Sequence, residues 1–356
     1  HAPLIVASRD QVGKKRIRRV VNAFRTSGLT LGIYDRLPDQ LEPDLMHVLA
    51  RMYREGGCDS VIAVGHGPVV DAAKVLNVFV SSGDHGDVSD SFGKMTDPGP
   101  LRPLMLVATC GGNGDEVTGY ASDGVRRLRS LRLVPTVAFI DPSMMDDRNL
   151  QVVVDGALIA LAHAVEAFLD HRAGPMCRAY AHTAIGLIVK YLPRVIRKTD
   201  PQKSLCAVVN GQVAAGCAFF ASSPGICHTL AAELNGAATF PPGFLMAMLL
   251  PHRVAEAVTA QPDQVGELLY PMAGPEFFAL TAADLKTHRC IALFWELYDA
   301  LNARLTLNIP MSLGDTGLTD EQINDARSRV MHSNPEAAHL ARIISRAAEG
   351  ATMMAG

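Results

Sequence analysis

Two glycine-rich segments place backbone amides where a phosphate group could bind. The first is residues 65–74 (GHGPVVDAAK), which follows an apolar run at residues 60–64. Gly65 and Gly67 allow a close approach of the backbone, and a helix that begins near Pro68 would present unpaired N–H groups to an anion. Taken alone, a glycine pair of this kind is more often a plain turn between a strand and a helix.

The second segment is residues 108–118 (ATCGGNGDEVT), where three glycines and small polar side chains follow another apolar run. In a parallel sheet, ligands bind outside the carboxyl ends of the strands. Two such turns in one sheet favour a cradle for a diphosphate group, as found in dinucleotides. This prediction requires the two turns to lie side by side.

The elements that would carry these turns alternate along the first 150 residues. Short runs rich in Val, Ile and Leu alternate with helical periodicity, which predicts βαβ units and a parallel sheet. The predicted strands are residues 3–8, 30–34, 60–64, 104–109 and 136–140, and the predicted helices are 11–26, 43–55 and 69–80. Residues 81–102, rich in Gly, Asp and Pro, predict a surface loop.

From about residue 155 the pattern becomes helical throughout. Long apolar-periodic runs at residues 155–171, 176–196 and 204–221 are separated by Gly, Asn and Pro. We therefore expect two domains: a Rossmann-like α/β domain with a parallel sheet at residues 1–150 and an all-α domain at residues 151–356.

The composition excludes several classes of protein. The 356 residues have a net charge of -3, with 48% hydrophobic and 19% charged residues, and no basic block that would favour nucleic acid. The sequence has no uninterrupted apolar run of about 18 residues, so no transmembrane helix is predicted. No signal peptide is predicted, and the seven cysteines without CxxC spacing favour reduced thiols, so we expect a cytoplasmic protein.

Several motifs occur in an order that resembles the iron-containing (group III) alcohol dehydrogenases. Residues 65–74 resemble the family's GGGSxxDxxK motif, and residues 109–118 resemble its TTAGTGSEVT motif. The further matches are residues 138–142 to a strand ending in Asp-Pro, 162–168 to the HAIEAY helix, 249–252 to LLPH and 334–337 to NPREA. The resemblance spans essentially the whole chain, and the collinear order makes it more specific than any single motif. It implies the two-domain architecture that this family shares with the dehydroquinate synthases.

The resemblance implies that NAD or NADP is the cofactor, held at the two turns and at the end of the first strand. The implied cofactor-binding residues are Ser8, Arg9, Gly65, His66, Gly67, Pro68, Asp71, Lys74, Thr109, Cys110 and Asn113. Some depart from the family pattern: His66 replaces a glycine and Pro68 a serine, while Cys110 and Asn113 replace threonines, which leaves fewer hydroxyl groups for phosphate. Asp71 and Lys74 are also compatible with ordinary charges on a helix face.

The end of the first strand bears on the choice between NAD and NADP. Where the family has an aspartate that repels a 2′-phosphate, this chain has Ser8, and Arg9 adds a positive charge. We therefore expect NADP to be accepted.

The resemblance also implies a divalent metal, iron or zinc, bound by one aspartate and three histidines. His163 and His228 match two of these ligands, but Ile159 and Pro242 stand at the other two positions. We therefore expect a weak or absent metal site. Asp155 and Glu233 are two carboxylates that could substitute.

Other polar residues near these positions have more than one interpretation. Ala232 replaces a further histidine that the family has near the nicotinamide. Glu166 is interpreted as a charge in an N-terminal turn or at the surface rather than as a catalyst. Cys227 is either a thiol in a pocket or a buried small hydrophobe.

Three functions are compatible with these features. The first is NAD(P)-dependent hydride transfer between a small alcohol and its aldehyde or ketone, with His163 and His228 as catalytic groups that stabilise the developing alkoxide. The second is a non-catalytic scaffold or regulatory subunit, which the missing ligands, His66 and Pro68 favour. The third, a lyase of the dehydroquinate synthase type, requires a ligand trio and basic substrate ligands that are not evident. Because helical domains of the family commonly associate, we also expect a homodimer.

Overall fold

The computed structural model of the chain describes residues 2–9, 11–38, 43–81, 100–109, 111–122, 127–141, 144, 149–222, 225–235, 240–333 and 337–349. The chain divides into two compact units, His1–Asp146 and Asp147–Gly356. The first unit contains a parallel sheet with helices, and the second contains helices. The fold class predicted from the sequence is therefore confirmed.

The first unit is built on a five-stranded parallel sheet. The described strands of the whole unit are β1 (Pro3–Ser8), β2 (Gly32–Leu37), β3 (Ser60–Gly65), β4 (Leu104–Ala108), β5 (Tyr120–Ser122), β6 (Arg127–Arg129) and β7 (Val137–Phe139). Its α-helices are α1 (Gln11–Ala23), α2 (Pro43–Glu55) and α3 (Pro68–Ser81). The strand order in the sheet is β2-β1-β3-β4-β7, while β5 and β6 form a separate antiparallel hairpin. The chain reverses its direction of travel across the sheet between β1 and β3, which is where such folds bind ligands.

Side chains of the central strands are buried on both faces of the sheet. On one face Leu4 and Val61 belong to a core shared with α2 and α3, and on the other Ile5 and Ile62 belong to a core shared with α1. Crossover helices on both faces explain why these strands are continuous apolar runs rather than alternating patterns.

Several predicted bounds shift. The helix predicted to reach residue 26 ends at Ala23. After it, backbone hydrogen bonds between residues three apart, such as Phe24 N–H to the Val21 carbonyl, replace the α-helical bonds between residues four apart. The strand predicted at residues 30–34 lies at Gly32–Leu37, because its pairing with β1 begins at Gly32 opposite Leu4. Most of the predicted surface loop at residues 81–102 lies outside the described residues.

The second unit is helical throughout its described parts. Its helices are α4 (Leu150–Leu169), α5 (Pro175–Ile196), α6 (Pro201–Ala221), α7 (Ile226–Asn235), α8 (Pro242–Val258), α9 (Pro262–Glu267), α10 (Leu269–Ala273), α11 (Pro275–Leu280), α12 (Lys286–Asn302), α13 (Asp320–Ser333) and α14 (Ala337–Glu349). The first three begin earlier than their apolar patterns predicted. Asn149 caps α4 by accepting the Val152 N–H, and Pro175 and Pro201 occupy the first turns of α5 and α6.

Two helices, α4 and α6, are long and apolar enough to cross a membrane by length and composition. In the folded chain, however, 83% of the apolar stretch of α4 and 61% of that of α6 are buried. They pack against one another and against α5, as core helices of a folded domain do.

Candidate active site

The turns after β3 and β4 lie side by side in the first unit. The two strands are parallel neighbours, and Gly65 at the end of β3 is paired with Ala108 at the end of β4. Beyond these strand ends, the Nδ1 atom of His66 lies 3.0 Å from the Oγ1 atom of Thr109. The condition for a shared diphosphate cradle, that the two turns be adjacent, is therefore met.

Two glycines make the first turn close-packed on one side and open on the other. A Cβ atom on Gly65 would lie 2.8 Å from the side chain of Val69, so only glycine lets the strand approach the first turn of α3. Gly67 has a φ of +48°, and a Cβ there would meet no atom within 4 Å. The turn thus has room in front of it for a ligand near the N-terminus of α3.

Lys74 is directed into the protein, where its ammonium group binds backbone carbonyls and is not open to a phosphate. It is fully buried, and its Nζ atom donates to the backbone carbonyls of Asp115, Thr118 and Tyr120 at 2.7, 2.7 and 2.8 Å. The three donors of the ammonium group are therefore used within the protein. These contacts make Lys74 an anchor for the segment that follows the second turn.

Asp71, one turn before Lys74, has a similar structural contact. Its Oδ1 atom accepts the backbone N–H of Ser122 at 3.1 Å. Both helix-face residues that the sequence matched to the cofactor motif therefore hold the hairpin region of β5 against α3. The interpretation as simple helix-face charges is wrong for Lys74, because it has no exposed surface.

Glu116 is a buried carboxylic acid beneath the second turn that the sequence analysis did not single out. Its carboxyl oxygens lie 3.4 and 3.5 Å from the position that a Cβ on Gly112 would take. Burial raises the pKa of Glu116 to about 7, and no hydrogen bond to its Oε1 atom occurs within the described residues. A glutamate directly after a glycine-rich turn that already contains Asp115 was the available signal for an acid in this position.

Three further predicted cofactor residues, Ser8, Arg9 and Asn113, lie at or after the ends of strands at the same edge of the sheet. Ser8 is half-buried at the end of β1, and Arg9 beyond it is exposed. The side chain of Asn113 accepts the N–H of Asp115 at 3.1 Å, which forms an Asx turn directly before the short 3-10 turn at Asp115–Val117. Cys110 lies outside the described residues.

In the second unit, the two predicted histidines are in direct contact. The Nε2 atom of His163 on α4 lies 3.2 Å from the Nδ1 atom of His228 on α7. The ring of His163 stacks on Phe219 with centroids 3.9 Å apart, and only 2% of His163 is exposed, whereas His228 is half-buried. A hydrogen bond at this distance needs a hydrogen on one of the two facing nitrogens, so the geometry allows the pair to share a proton.

Comparison with protein-family models matches both units. The model described as iron-containing alcohol dehydrogenase matches residues 1–142, and the model of the Fe-containing alcohol dehydrogenase family, C-terminal, matches residues 153–345. The chain belongs to the iron-containing alcohol dehydrogenase family. The resemblance inferred from the motifs is confirmed, and with it the interpretation of the chain as an oxidoreductase.

The regions in which this iron-containing alcohol dehydrogenase family member matches named relatives cover most of its length. An NAD-dependent methanol dehydrogenase of Bacillus methanolicus is 25% identical over 365 residues, covering 95% of this chain and 93% of the relative. A 1,3-propanediol dehydrogenase of Klebsiella pneumoniae is 26% identical, covering 85% and 78%. The crystal structure of a 1,3-propanediol oxidoreductase covers 97% of this chain and 92% of its own, with a TM-score of 0.86 and 22% identity, which shows the shared fold.

The metal that the family name implies does not fit the residues present. Protein zinc sites use three or four protein ligands, and His163 and His228 supply two nitrogens. Ile159, one turn before His163, and Pro242, in the first turn of α8, have no group that can coordinate a metal. Within the described residues, no group of three or more His, Cys, Asp or Glu side chains is arranged to hold an ion.

The two carboxylates considered as substitute ligands have other partners in this family member. Asp155 accepts the N–H of Gly243 at 2.7 Å and so caps α8; burial raises its pKa to about 6. Glu233 accepts from the Nε atom of Arg329 at 2.9 Å. Neither carboxylate completes a ligand set with the two histidines.

Glu166 differs from its first interpretation, whereas Cys227 agrees with one of its two. Glu166 is buried rather than at the surface, and its Oε1 atom accepts the backbone N–H of Cys227 at 2.9 Å. Cys227 has no exposed surface, as expected of a buried small hydrophobe and not of a pocket thiol. The signal for Glu166 was its position within a mostly apolar helix, where a buried charged residue needs a partner.

Proposed function

We propose that this protein transfers hydride between NAD(P) and a small alcohol or its aldehyde or ketone, and that it does so without a bound metal. The observation that carries the proposal is the contact between His163 Nε2 and His228 Nδ1 at 3.2 Å. It supports a pair of imidazoles that can share a proton, at two positions where the family pattern has metal ligands. The first unit, residues 1–150 of the predicted division, would bind the dinucleotide, and the helical unit, residues 151–356, would supply the pair.

The first unit offers a suitable cradle for the dinucleotide. Backbone amides of the turns around Gly67 and Asn113 would face the diphosphate, supported by the N-terminus of α3. Ser8 and Arg9 would meet the adenosine ribose, and the absence of a carboxylate at position 8 supports acceptance of a 2′-phosphate. When bound in its reduced form, the dinucleotide supplies the hydride that the carbonyl carbon receives.

The histidine pair takes the role of the missing electrophile. As the hydride reaches the carbonyl carbon, negative charge develops on the oxygen, and a protonated imidazole pair can stabilise that charge and then give it one proton. The pair returns to its neutral form and regains a proton from solvent through half-buried His228. Stacking on Phe219 holds the ring of His163 in place, which keeps the geometry of the pair fixed.

The substrate and the setting of the reaction follow from the same proposal. Relatives named for methanol and 1,3-propanediol support a small alcohol or aldehyde as substrate. We infer that the protein works in the cytoplasm as a homodimer, without nucleic acid or membrane as a partner. Light scattering at catalytic concentration tests the dimer, which a monomeric mass would contradict.

Binding and metal analysis separate this function from a non-catalytic scaffold. We expect purified protein to bind NADH or NADPH, seen as a change in cofactor fluorescence, and to contain far less than one iron or zinc per chain by elemental analysis. A chain that binds neither dinucleotide supports the scaffold. The variant His228→Gln should bind dinucleotide normally but lose aldehyde reduction, whereas His171→Gln, a change to an exposed histidine near the end of α4, should retain it.

A further inference from the structure

Glu166 links the helix that carries His163 to the helix that carries His228. It lies three residues after His163 on α4, so the two side chains are on neighbouring positions of one helix face. Its Oε1 atom accepts the N–H of Cys227, the second residue of α7, at 2.9 Å. The next residue is His228. A single carboxylate therefore satisfies an unpaired N–H at the start of the helix that presents the second histidine.

The chain is shaped to bring this carboxylate to the helix terminus. A Cβ atom on Gly225 would clash with the Oε2 atom of Glu166, so a larger residue at this position would have to displace the carboxyl group. This close approach explains a glycine directly before α7. It also means that the position of the first turn of α7 depends on the position of the Glu166 carboxyl group.

The charge of Glu166 is partly compensated within the protein. Burial raises the pKa of Glu166, while the positive charge of Arg253 and hydrogen bonds from Cys227 act in the opposite direction. The positive end of the α7 dipole adds to this compensation. Hydrogen bonds from the first two residues of α7, Ile226 and Cys227, orient the carboxyl group, and the contact of Cys227 N–H with Oε1 is the 2.9 Å bond among them.

We propose that Glu166 is a positioning residue that sets the contact between His163 and His228. Helix α7 meets α4 at two adjacent points, Cys227 N–H on Glu166 and His228 on His163, and these two contacts together define the rotation and height of α7 against α4. Loss of the contact between Glu166 and Cys227 N–H would let the first turn of α7 shift. That shift would lengthen the contact between His163 and His228. This inference rests on the proposed function for its catalytic consequence but not for its geometry.

The geometry can be tested by NMR without any assay of activity. The ¹⁵N shifts of the four imidazole nitrogens report the tautomers and the hydrogen bond of the pair. Glu166→Ala removes the acceptor, Glu166→Asp withdraws it by one methylene, and Gly225→Ala displaces it while keeping the glutamate. Glu166→Gln keeps an oxygen acceptor of the same reach, and Cys227→Ser keeps the backbone N–H, so these two are the matched controls.

In Glu166→Ala, Glu166→Asp and Gly225→Ala we expect the ¹⁵N shifts of His163 Nε2 and His228 Nδ1 to move towards the values of imidazoles that are not bonded to each other. In both controls we expect these shifts to stay near the wild-type values. Rates of aldehyde reduction should fall about tenfold to a hundredfold in the first three variants, with dinucleotide affinity unchanged, as expected for a displaced catalytic group. Thermal unfolding identifies the variants that are folded.

Unchanged imidazole shifts in a folded Glu166→Asp or Gly225→Ala protein would overturn the positioning role. A change of equal size in Glu166→Gln would also overturn it, because the acceptor is preserved there. If the shifts change as expected while wild-type protein reduces no aldehyde, the positioning role stands and the proposed function fails, so the two outcomes are distinguishable.

Discussion

The Nδ1 atom of His66 lies 3.0 Å from the hydroxyl oxygen of Thr109, which joins the turn after β3 to the turn after β4. The family motif has a glycine in place of His66, which has no side chain that could make this bond. It fixes the distance between the two turns that we assign to one diphosphate group. It also uses one of the few hydroxyl groups left near that site.

Removal of this hydrogen bond should weaken dinucleotide binding. Thr109→Val keeps the shape of the threonine but leaves His66 without its partner hydroxyl, and we expect the dissociation constant for NAD(P)H to rise about fivefold, the effect of one hydrogen bond of about 1 kcal/mol. Cofactor fluorescence measures the constant. Thr183→Val, a change to an exposed threonine on α5, is the control, and equal affinity in both variants would contradict the role of the bond.

Lys74 should be required for the stability of the first unit. Lys74→Met removes a charged donor from three buried carbonyls, and we expect the free energy of unfolding to fall by about 3 kcal/mol. Denaturant unfolding of the variant and of Lys203→Met, which changes an exposed lysine, measures the difference. If Lys74→Met lowers the free energy of unfolding no more than Lys203→Met does, the buried contacts of Lys74 do not contribute to stability.

Much of the fold followed from local patterns, because both faces of the central sheet are buried. A strand such as Ser60–Gly65 is then a continuous apolar run that can be recognised without knowing its neighbours. The hairpin of Tyr120–Ser122 and Arg127–Arg129 was missed because its strands are three residues long and one of them carries two arginines. The observed starts of α4, α5 and α6 differ from the predicted ones because a capping residue or a proline, and not the apolar pattern, defines the first turn.

His252 should make the protein less stable in mild acid. It has no exposed surface, and its ring nitrogens have no hydrogen-bond partner in the described part of the chain. Burial, aided by the charge of Arg346, lowers its pKa from 6.5 to about 4. The unfolded chain therefore binds a proton that the folded chain does not between those values, so the free energy of unfolding falls as the pH drops from 6.5 towards 4.

The variant His252→Phe isolates this effect, because it keeps a buried ring without a titrating group. We expect the fall in stability between pH 6.5 and 4 to be smaller in the variant by about 3 kcal/mol. Urea unfolding at half-unit pH steps gives the two profiles. Parallel profiles of variant and wild type over this range would contradict the assignment.

Ser8 should control the choice between NAD and NADP. Ser8→Asp restores a carboxylate at the end of β1, where it would repel a 2′-phosphate, so we expect the ratio of NADP to NAD affinity to fall about tenfold, or about 1.4 kcal/mol. Competitive titration of both cofactors measures the ratio. Ser328→Asp on α13 controls for added negative charge, and a wild type that binds NAD at least tenfold more tightly than NADP would contradict the prediction.

The candidate site was less predictable than the fold. Motif order located the two turns and both histidines, but contacts between distant residues could not be read from the sequence. Lys74 meets residues 41 to 46 positions away, and Glu166 meets Cys227 at a separation of 61. A charged residue in a helix is ordinarily exposed, so only the folded chain shows that these two are buried against backbone groups.

Hydride transfer without a metal requires the histidine pair to take the place of the metal. The most direct test measures the rate at which NADH or NADPH reduces a small aldehyde, using protein treated with a strong chelator and checked for metal by elemental analysis. We predict that chelated protein keeps the rate of untreated protein, that iron or zinc does not raise it, and that His163→Gln or His228→Gln abolishes it. A rate that vanishes with the chelator and returns in proportion to bound metal would contradict the account.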